Sequence, residues 1–464
     1  MTIWTPEQLP ADLPKYQAIA AVIRQAIEQG TLSPGTRLPP QRRLADMLAV
    51  TTGTVTRAYA EAERLGLLEA RVGSGTYVRQ CSQVDSFRFS EQRSDIDLGF
   101  TLALRDQQLP LLQDNLQAIS QDPVLLEELL GYGPETGLYR HRAAASRWLA
   151  REGTERSPEN ILLCSGGQNG LFTALTTLCD TGDTVLSEGL TYSGFILAAR
   201  HLRLRHIGLN MDEQGLHPDA LKTACERYRP RALYLMPQLQ NPTGSQMSQA
   251  RKTALLDICR HYGVMVIEDN VQSALVTDAG PPMVALAPEQ VVGISSCTKA
   301  LAGGLRVGFL LPPPSWMDRF RVAIRVNSWM VPPLLSELVA RWIEHPRLDT
   351  SLRHQRAQSA RRHDLARTLL RGFDYRAHPQ SLSGWLMLPE HWRARDLTQH
   401  LHRQGIEVKA ADVFAVGQFP APEAIRLCIG GDTTEWQLET ALTRLRDCLG
   451  QPQADDHWLA DSTV

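Results

Sequence analysis

SSCTKALAGGLRVG, residues 295–308, contains Lys299, one of five lysines in a 464-residue chain with 48 lysines and arginines together. Two serines, a threonine, a glycine-rich turn and Arg306 surround it. Arginine keeps its proton in proteins, whereas lysine gives it up when its surroundings lower its pKa. A neutral lysine amine attacks carbonyl compounds. A solvated lysine after a strand would read the same way in isolation, so the neighbouring segments decide.

Around this stretch, short aliphatic runs alternate with helical stretches: ILLCSG (161–166), TVLSEG (184–189), ALYLMP (232–237), VMVIED (264–269) and VVGISS (291–296). The alternation predicts an α/β major domain whose mostly parallel sheet is covered on both faces. Arginine-rich helical segments over 333–370 and strands at 383–388 and 424–429 predict a small α+β C-terminal subdomain. Open parallel sheets bind ligands at the carboxyl ends of their strands, and the chemically capable residues fall there.

Pyridoxal phosphate makes a matching set of demands. Its phosphate needs oriented N–H groups, a cation and hydroxyls. Its ring nitrogen needs a carboxylate, and its aldehyde a lysine. Gly167 and Gln168, in the glycine turn of CSGGQNGLFTAL, offer backbone N–H groups. Ser296, Thr298 and Arg306 suit the same phosphate. Tyr192 can stack on the ring, and the Asn241 amide in QLQNPTGSQ can donate to the phenolic oxygen. Asp269, ending VMVIED, suits the ring nitrogen. Each alone also fits an ordinary part: a turn, a packing aromatic, a helix cap. Together they occupy consecutive strand ends.

The first eighty residues read differently. PKYQAIAAVIRQAIEQ (14–29) has helical spacing, QRRLADMLAV (41–50) and TTGTVTRAYAEAERLGLL (51–68) read as a helix–turn–helix, and LLEARVGSGTYV (67–78) as two strands around a glycine turn. That order predicts a winged helix. Thr52, Thr54, Thr56 and Arg57 stand near the start of the second helix of the pair, and Arg42 and Arg43 open the first. Residues 1–80 hold nine basic and seven acidic side chains, a mild balance that favours a dimer on paired half-sites. Residues 80–95, QCSQVDSFRFSEQRSD, are polar and aperiodic and read as a linker.

Bulk properties set the frame. A 43% hydrophobic and 21% charged composition with net charge −2 describes a globular chain without a global basic footprint. No apolar run approaches the ~18 residues of a membrane span, and MTIWTPEQLP has no signal-peptide pattern. Eight scattered cysteines without a CxxC pair argue against zinc and against a disulfide framework. The expectation is a cytoplasmic protein with no metal and no membrane contact.

Residues 1–79 resemble the GntR-type winged helix through RLPP, GTVTRAY and GSGTYV. That resemblance implies double-stranded DNA as partner, touched by Arg42, Thr54, Arg57 and the wing residues Gly73, Ser74, Gly75 and Thr76. Many relatives carry an arginine where this chain has Thr52, which alters how bases are read there. Residues 96–464 resemble the fold-type I aminotransferases through SGGQ, NPTG, ED and SCTK…GLRVG. This implies a large subdomain near 125–330 and a small one near 331–450 plus the N-terminal segment. It makes Lys299 the cofactor-bearing lysine, with its pKa lowered by Arg306 and the ring. It also implies that Arg426 grips an effector or substrate carboxylate. Tyr132 would reach the phosphate across a head-to-tail homodimer. Val271 and Gln272 stand where the family usually has a tyrosine, so the bound cofactor should absorb and titrate unlike that of typical members. The two halves together resemble the MocR regulators, implying a transcription factor that senses pyridoxal phosphate or an amino-acid-like effector. The alternative is a working aminotransferase carrying a DNA-binding module.

Overall fold

The computed structural model describes residues 4, 9–10, 13–28, 31–32, 35–64, 67–71, 75–78, 94–104 and 108–450. Helices α1 (Lys15–Glu28), α2 (Gln41–Met47) and α3 (Thr52–Arg64) precede strands β1 (Leu68–Arg71) and β2 (Gly75–Val78), which pair antiparallel. Apolar residues at helical spacing, Ile19, Ile23, Leu44, Val55 and Tyr59, meet Leu67 and Val78 in one core. The Tyr59 hydroxyl is buried in it and donates to the Pro39 carbonyl at 2.8 Å. Thr56 Oγ1 donates to Gln41 Oε1 at 2.7 Å and so ties α3 to α2. The expected linker lies outside the described residues up to Arg93, as do Gly73 and Ser74 of the wing.

The large domain is built on seven strands: β3 (Leu162–Cys164), β4 (Thr184–Glu188), β5 (Arg205–Leu209), β6 (Ala232–Leu235), β7 (Met265–Asp269), β8 (Val291–Ser296) and β9 (Gly308–Leu311). Their order is β3-β9-β8-β7-β6-β4-β5. Strand β9 runs antiparallel to β3 and β8, and the remaining neighbours are parallel. Because successive side chains alternate faces, Leu163 and Phe309 enter one core while Leu162, Cys164 and Leu310 enter the other. Burial on both faces explains why these runs are continuously aliphatic rather than alternating.

Helices Pro333–Glu344 and Leu348–Leu369 lead to a smaller sheet. There β10 (Ser383–Met387) and β11 (Ala424–Cys428) pair antiparallel, flanked by Tyr375–Arg376 and Lys409–Ala410. The segment Ile96–Asp97 pairs parallel with Ile406–Glu407, so the chain begins its second half inside the small subdomain. No helix among the described residues is long and apolar enough to cross a membrane.

Replacing Tyr59 by Phe strands the buried Pro39 carbonyl. We expect the winged helix to lose about 1–3 kcal/mol. Faster hydrogen exchange of the α3 amides, with unchanged protection in the seven-stranded sheet, is the readout.

Candidate functional site

The carboxyl ends of the parallel strands, with the start of β9, form one rim, and a cavity of about 1040 Å³ opens over it. A recess of about 100 Å³ reaches below, to Asp269, Val271, Gln272 and Ser296. Both are lined by Gln168, Tyr192, Asn241, Thr298, Lys299 and Arg306, and Arg426 lines the larger one.

Strand β3 ends in a glycine turn that starts helix α4 (Gly167–Leu178). Gly166 adopts φ 82° against the Arg306 guanidinium, and a Cβ there would lie 2.7 Å from Arg306 Nη2. A Cβ on Gly167 would lie 2.6 Å from Val271 Cγ1. The positive φ of Gly166 and the close approach at Gly167 favour glycine here, and Gly167 and Gln168 at the helix start line the recess. Arg306 holds a left-handed conformation, φ 50° and ψ 46°, that costs a non-glycine residue roughly 1–3 kcal/mol. Its Nη2 donates to the Ser165 carbonyl at 3.4 Å. Ser296 Oγ and Thr298 Oγ1 lie 2.5 Å apart beside it. The Gln168 amide donates to the Gly194 carbonyl at 3.1 Å.

Asp269 ends β7 in the interior. Its Oδ2 accepts from the Tyr234 hydroxyl at 2.8 Å and its Oδ1 from the Val271 N–H at 3.1 Å. Burial raises its pKa, opposed by those two donors and by Lys299. The Tyr234 ring stacks on Phe195 at 4.3 Å, which fixes the hydroxyl's direction. Burial also pushes the Tyr192 phenol up to about 12.

Lys299 Nζ donates to the Thr101 carbonyl at 2.5 Å. Burial brings its pKa down to about 8, assisted by Arg426 and opposed by Asp269. Arg306 also lowers it, after desolvation and Arg426. Arg426, on β11, is 3% exposed. Its Nη1 donates to Asn241 Oδ1 at 2.7 Å, its Nη2 to the Gly99 carbonyl at 2.6 Å, and its guanidinium lies over Phe414 at 4.7 Å. With Oδ1 occupied, the Asn241 amide turns its donors elsewhere. Gln272 is buried in the recess wall, its Oε1 without a partner among the described residues.

These donors suit pyridoxal phosphate. The recess offers a turn of N–H groups and a guanidinium for an anion, a buried carboxylate for a protonated ring nitrogen, and an amine of lowered pKa.

Tyr132 is not brought to this cavity within the protomer. It is 88% exposed and meets Trp329 edge-on at 6.2 Å. In the winged helix, Arg42, Arg43, Thr52, Arg57 and Gly75 are exposed, while Thr54 and Thr76 are half-buried. Thr56 is exposed too, but its hydroxyl is engaged by Gln41, and the Arg57 guanidinium lies 4.5 Å over the Tyr16 ring. Sequence reasoning missed Tyr234, Thr101 and Gly99. Tyr234 carried a signal: a hydroxyl inside a fully buried strand must have a partner. The other two act through carbonyls, which leave no mark in a sequence.

Residues 95–445 match the aminotransferase class I and II family, and residues 15–78 the bacterial regulatory proteins of the gntR family. An uncharacterized HTH-type transcriptional regulator of Bacillus subtilis, YdeF, is 31% identical over 96% of this chain and 96% of its own. The vitamin B6 salvage pathway transcriptional repressor PtsJ of Salmonella typhimurium is 27% identical over 85% of this chain and 90% of its own. An archaeal alanine:glyoxylate aminotransferase superposes with TM-score 0.70 at 19% identity, over 80% of this chain and 98% of its own, a likeness of fold. The chain belongs to the class I and II aminotransferase family and, through its GntR module, to the MocR group of bacterial transcription regulators.

Proposed function

We propose that this regulator binds pyridoxal phosphate at Lys299 and couples the state of that site to a winged-helix dimer on double-stranded DNA. The observation that carries the reading is the half-buried Lys299 amine, of lowered pKa, in one recess with Asp269, Arg306 and the α4 turn. When bound, pyridoxal phosphate supplies an aldehyde carbon open to amines and a ring that draws electrons. Lys299 would hold the cofactor through that carbon, as the amine of lowered pKa in the recess. Asp269, oriented by Tyr234, holds the proton on the ring nitrogen. Gly167, Gln168, Ser296, Thr298 and Arg306 hold the phosphate. Tyr192 covers the ring, and Asn241 and Gln272 donate to its oxygen. Arg426 takes the carboxylate of an amino-acid-like effector.

The route to the DNA module starts from two carbonyls. Lys299 holds the Thr101 carbonyl and Arg426 the Gly99 carbonyl, on the segment that follows the expected linker. Attachment of Lys299, or a carboxylate on Arg426, competes with those bonds. Differential affinity for the two arrangements of this segment is what a regulatory ligand requires. The reading includes a head-to-tail homodimer in which Tyr132 reaches the neighbouring phosphate. Exposed apolar side chains, Val124 at 77%, Leu130 at 89%, Tyr132 at 88% and Val326 at 82%, support it.

Lys299 becomes the nucleophile only when neutral, so capture of pyridoxal phosphate by cofactor-free protein should accelerate as pH rises through about 8 and then level. Lys299→Arg cannot lose its proton and should capture none; borohydride fixation followed by intact mass is the readout. Leu130→Glu and Val326→Glu should move the protein from dimer to monomer in analytical ultracentrifugation and weaken DNA binding.

The central experiment is a quantitative gel shift on DNA upstream of the protein's own gene, comparing cofactor-free with loaded protein. A change in affinity or stoichiometry is expected. Identical binding with and without both cofactor and amino acids would refute the coupling. Steady conversion of the loaded protein by amino acids at enzyme-like rates would instead establish the working aminotransferase.

A further inference from the structure

A second cavity, of about 550 Å³, lies behind β8. Successive residues of a strand face opposite sides: Ser296 lines the cofactor recess, whereas Ser295 points to Glu152 in the wall of this second cavity. Three arginines reach it. Arg151 ends helix Tyr139–Arg151, and Arg353 and Arg356 lie one turn apart on one face of helix Leu348–Leu369. Among the described residues the acidic lining groups are Glu152 and Asp349, and Asp349 accepts from Arg151 Nε at 3.2 Å.

Glu152 is 8% exposed. Its Oε2 accepts from Ser295 Oγ at 2.7 Å, and the side chains of Ser273 and Trp148 also bear on the carboxyl. Burial pushes this carboxyl up to about 8, so near neutral pH it is a hydrogen-bond donor rather than an anion. Three cations then face one carboxylate across a cavity with a buried polar group in its wall. Guanidinium groups in that arrangement recognise oxyanions. The cavity far exceeds a bare inorganic ion, and Val276, Ala279 and Leu352 supply apolar wall for an organic body.

We propose that this cavity binds a small organic oxyanion, a phosphate ester or a polycarboxylate, gripped by Arg151, Arg353 and Arg356, with the Glu152 carboxyl in the wall behind it. The site borders the cofactor recess without being part of it. Ser273 in its wall adjoins Gln272, and Ser295 adjoins Ser296. Arg356 donates to the carbonyls of Ala274 and Leu275 at 2.7 and 3.2 Å, on the loop that follows Asp269. The same helix reaches the small subdomain, where Arg362 donates to the Ile429 and Thr433 carbonyls at 2.6 and 2.8 Å. An anion joining Arg151 to Arg353 would thus tie the large domain to the helix that carries the small one.

The test is isothermal titration of full-length protein, loaded with pyridoxal phosphate so that the Arg306 pocket is filled, with inorganic phosphate and with citrate at constant ionic strength. Saturable binding is expected, and the tighter probe distinguishes a phosphate from a carboxylate ligand. Arg353→Gln and Arg151→Gln, both at exposed positions, should each weaken it by at least about tenfold. Citrate affinity should fall as pH rises past about 8, where Glu152 ionises and repels the ligand; Glu152→Gln should bind across that range without the fall. Absence of saturable binding by either probe, or unaltered affinity in both arginine variants, overturns the proposal. The titration is read as heat at a site independent of Lys299, so this outcome leaves the cofactor reading to its own tests.

Discussion

The Lys299 amine sits in the protein interior with two guanidinium groups and one carboxylate acting on it. An ammonium there is half-buried and partly stripped of water, and it feels more positive than negative charge, so the proton is held loosely. Much of the rim follows from this arrangement. Asp269 must remain nearby as the counter-charge, and it is kept there by Tyr234 and the Val271 N–H. Arg306 must stand off at the α4 turn, where two glycines make room for it and for Val271. Arg426 must have its donors satisfied by carbonyl and amide dipoles, which Gly99 and Asn241 provide.

Arg426 also explains how two domains share one site. It belongs to the small sheet, yet its partners are a side chain following β6 and a carbonyl on the segment at 96–101. A guanidinium has donors enough to satisfy both at once. Removing the Asn241 amide would leave one more donor of a buried guanidinium unsatisfied, a penalty larger than the net value of one hydrogen bond. The cavity is therefore a junction, and the segment nearest the DNA module is part of its wall.

Much of this was legible in the sequence because the chemistry is concentrated at strand ends. An aliphatic run, then a glycine, an asparagine or an aspartate, repeats from β3 to β8, and each break marks the rim. Strands β5 and β9 were less visible: RHIGL is half-exposed, and GFLL is too short to separate from the turn before it. Their loss did not obscure the site, because its side chains come from the other strand ends and from Arg306 just before β9. The reversed direction of β9 could not be read at all, since side-chain pattern carries face but not polarity.

By itself the sequence pointed to the winged helix and the sheet through local periodicity, and it offered Lys299, Asp269, Asn241 and Arg306 as candidate site residues through their chemistry at strand ends; Arg426 came only from the family resemblance. Only the tertiary structure decided that Lys299 is depressed chiefly by burial, that Arg426 reaches Asn241 and Gly99, and that Tyr132 stands on the surface beside Trp329. It alone brought Arg151, Arg353, Arg356 and Glu152 to one cavity across about two hundred residues of chain. Desolvation and Coulomb forces depend on distance in space, and a sequence records only distance along the chain.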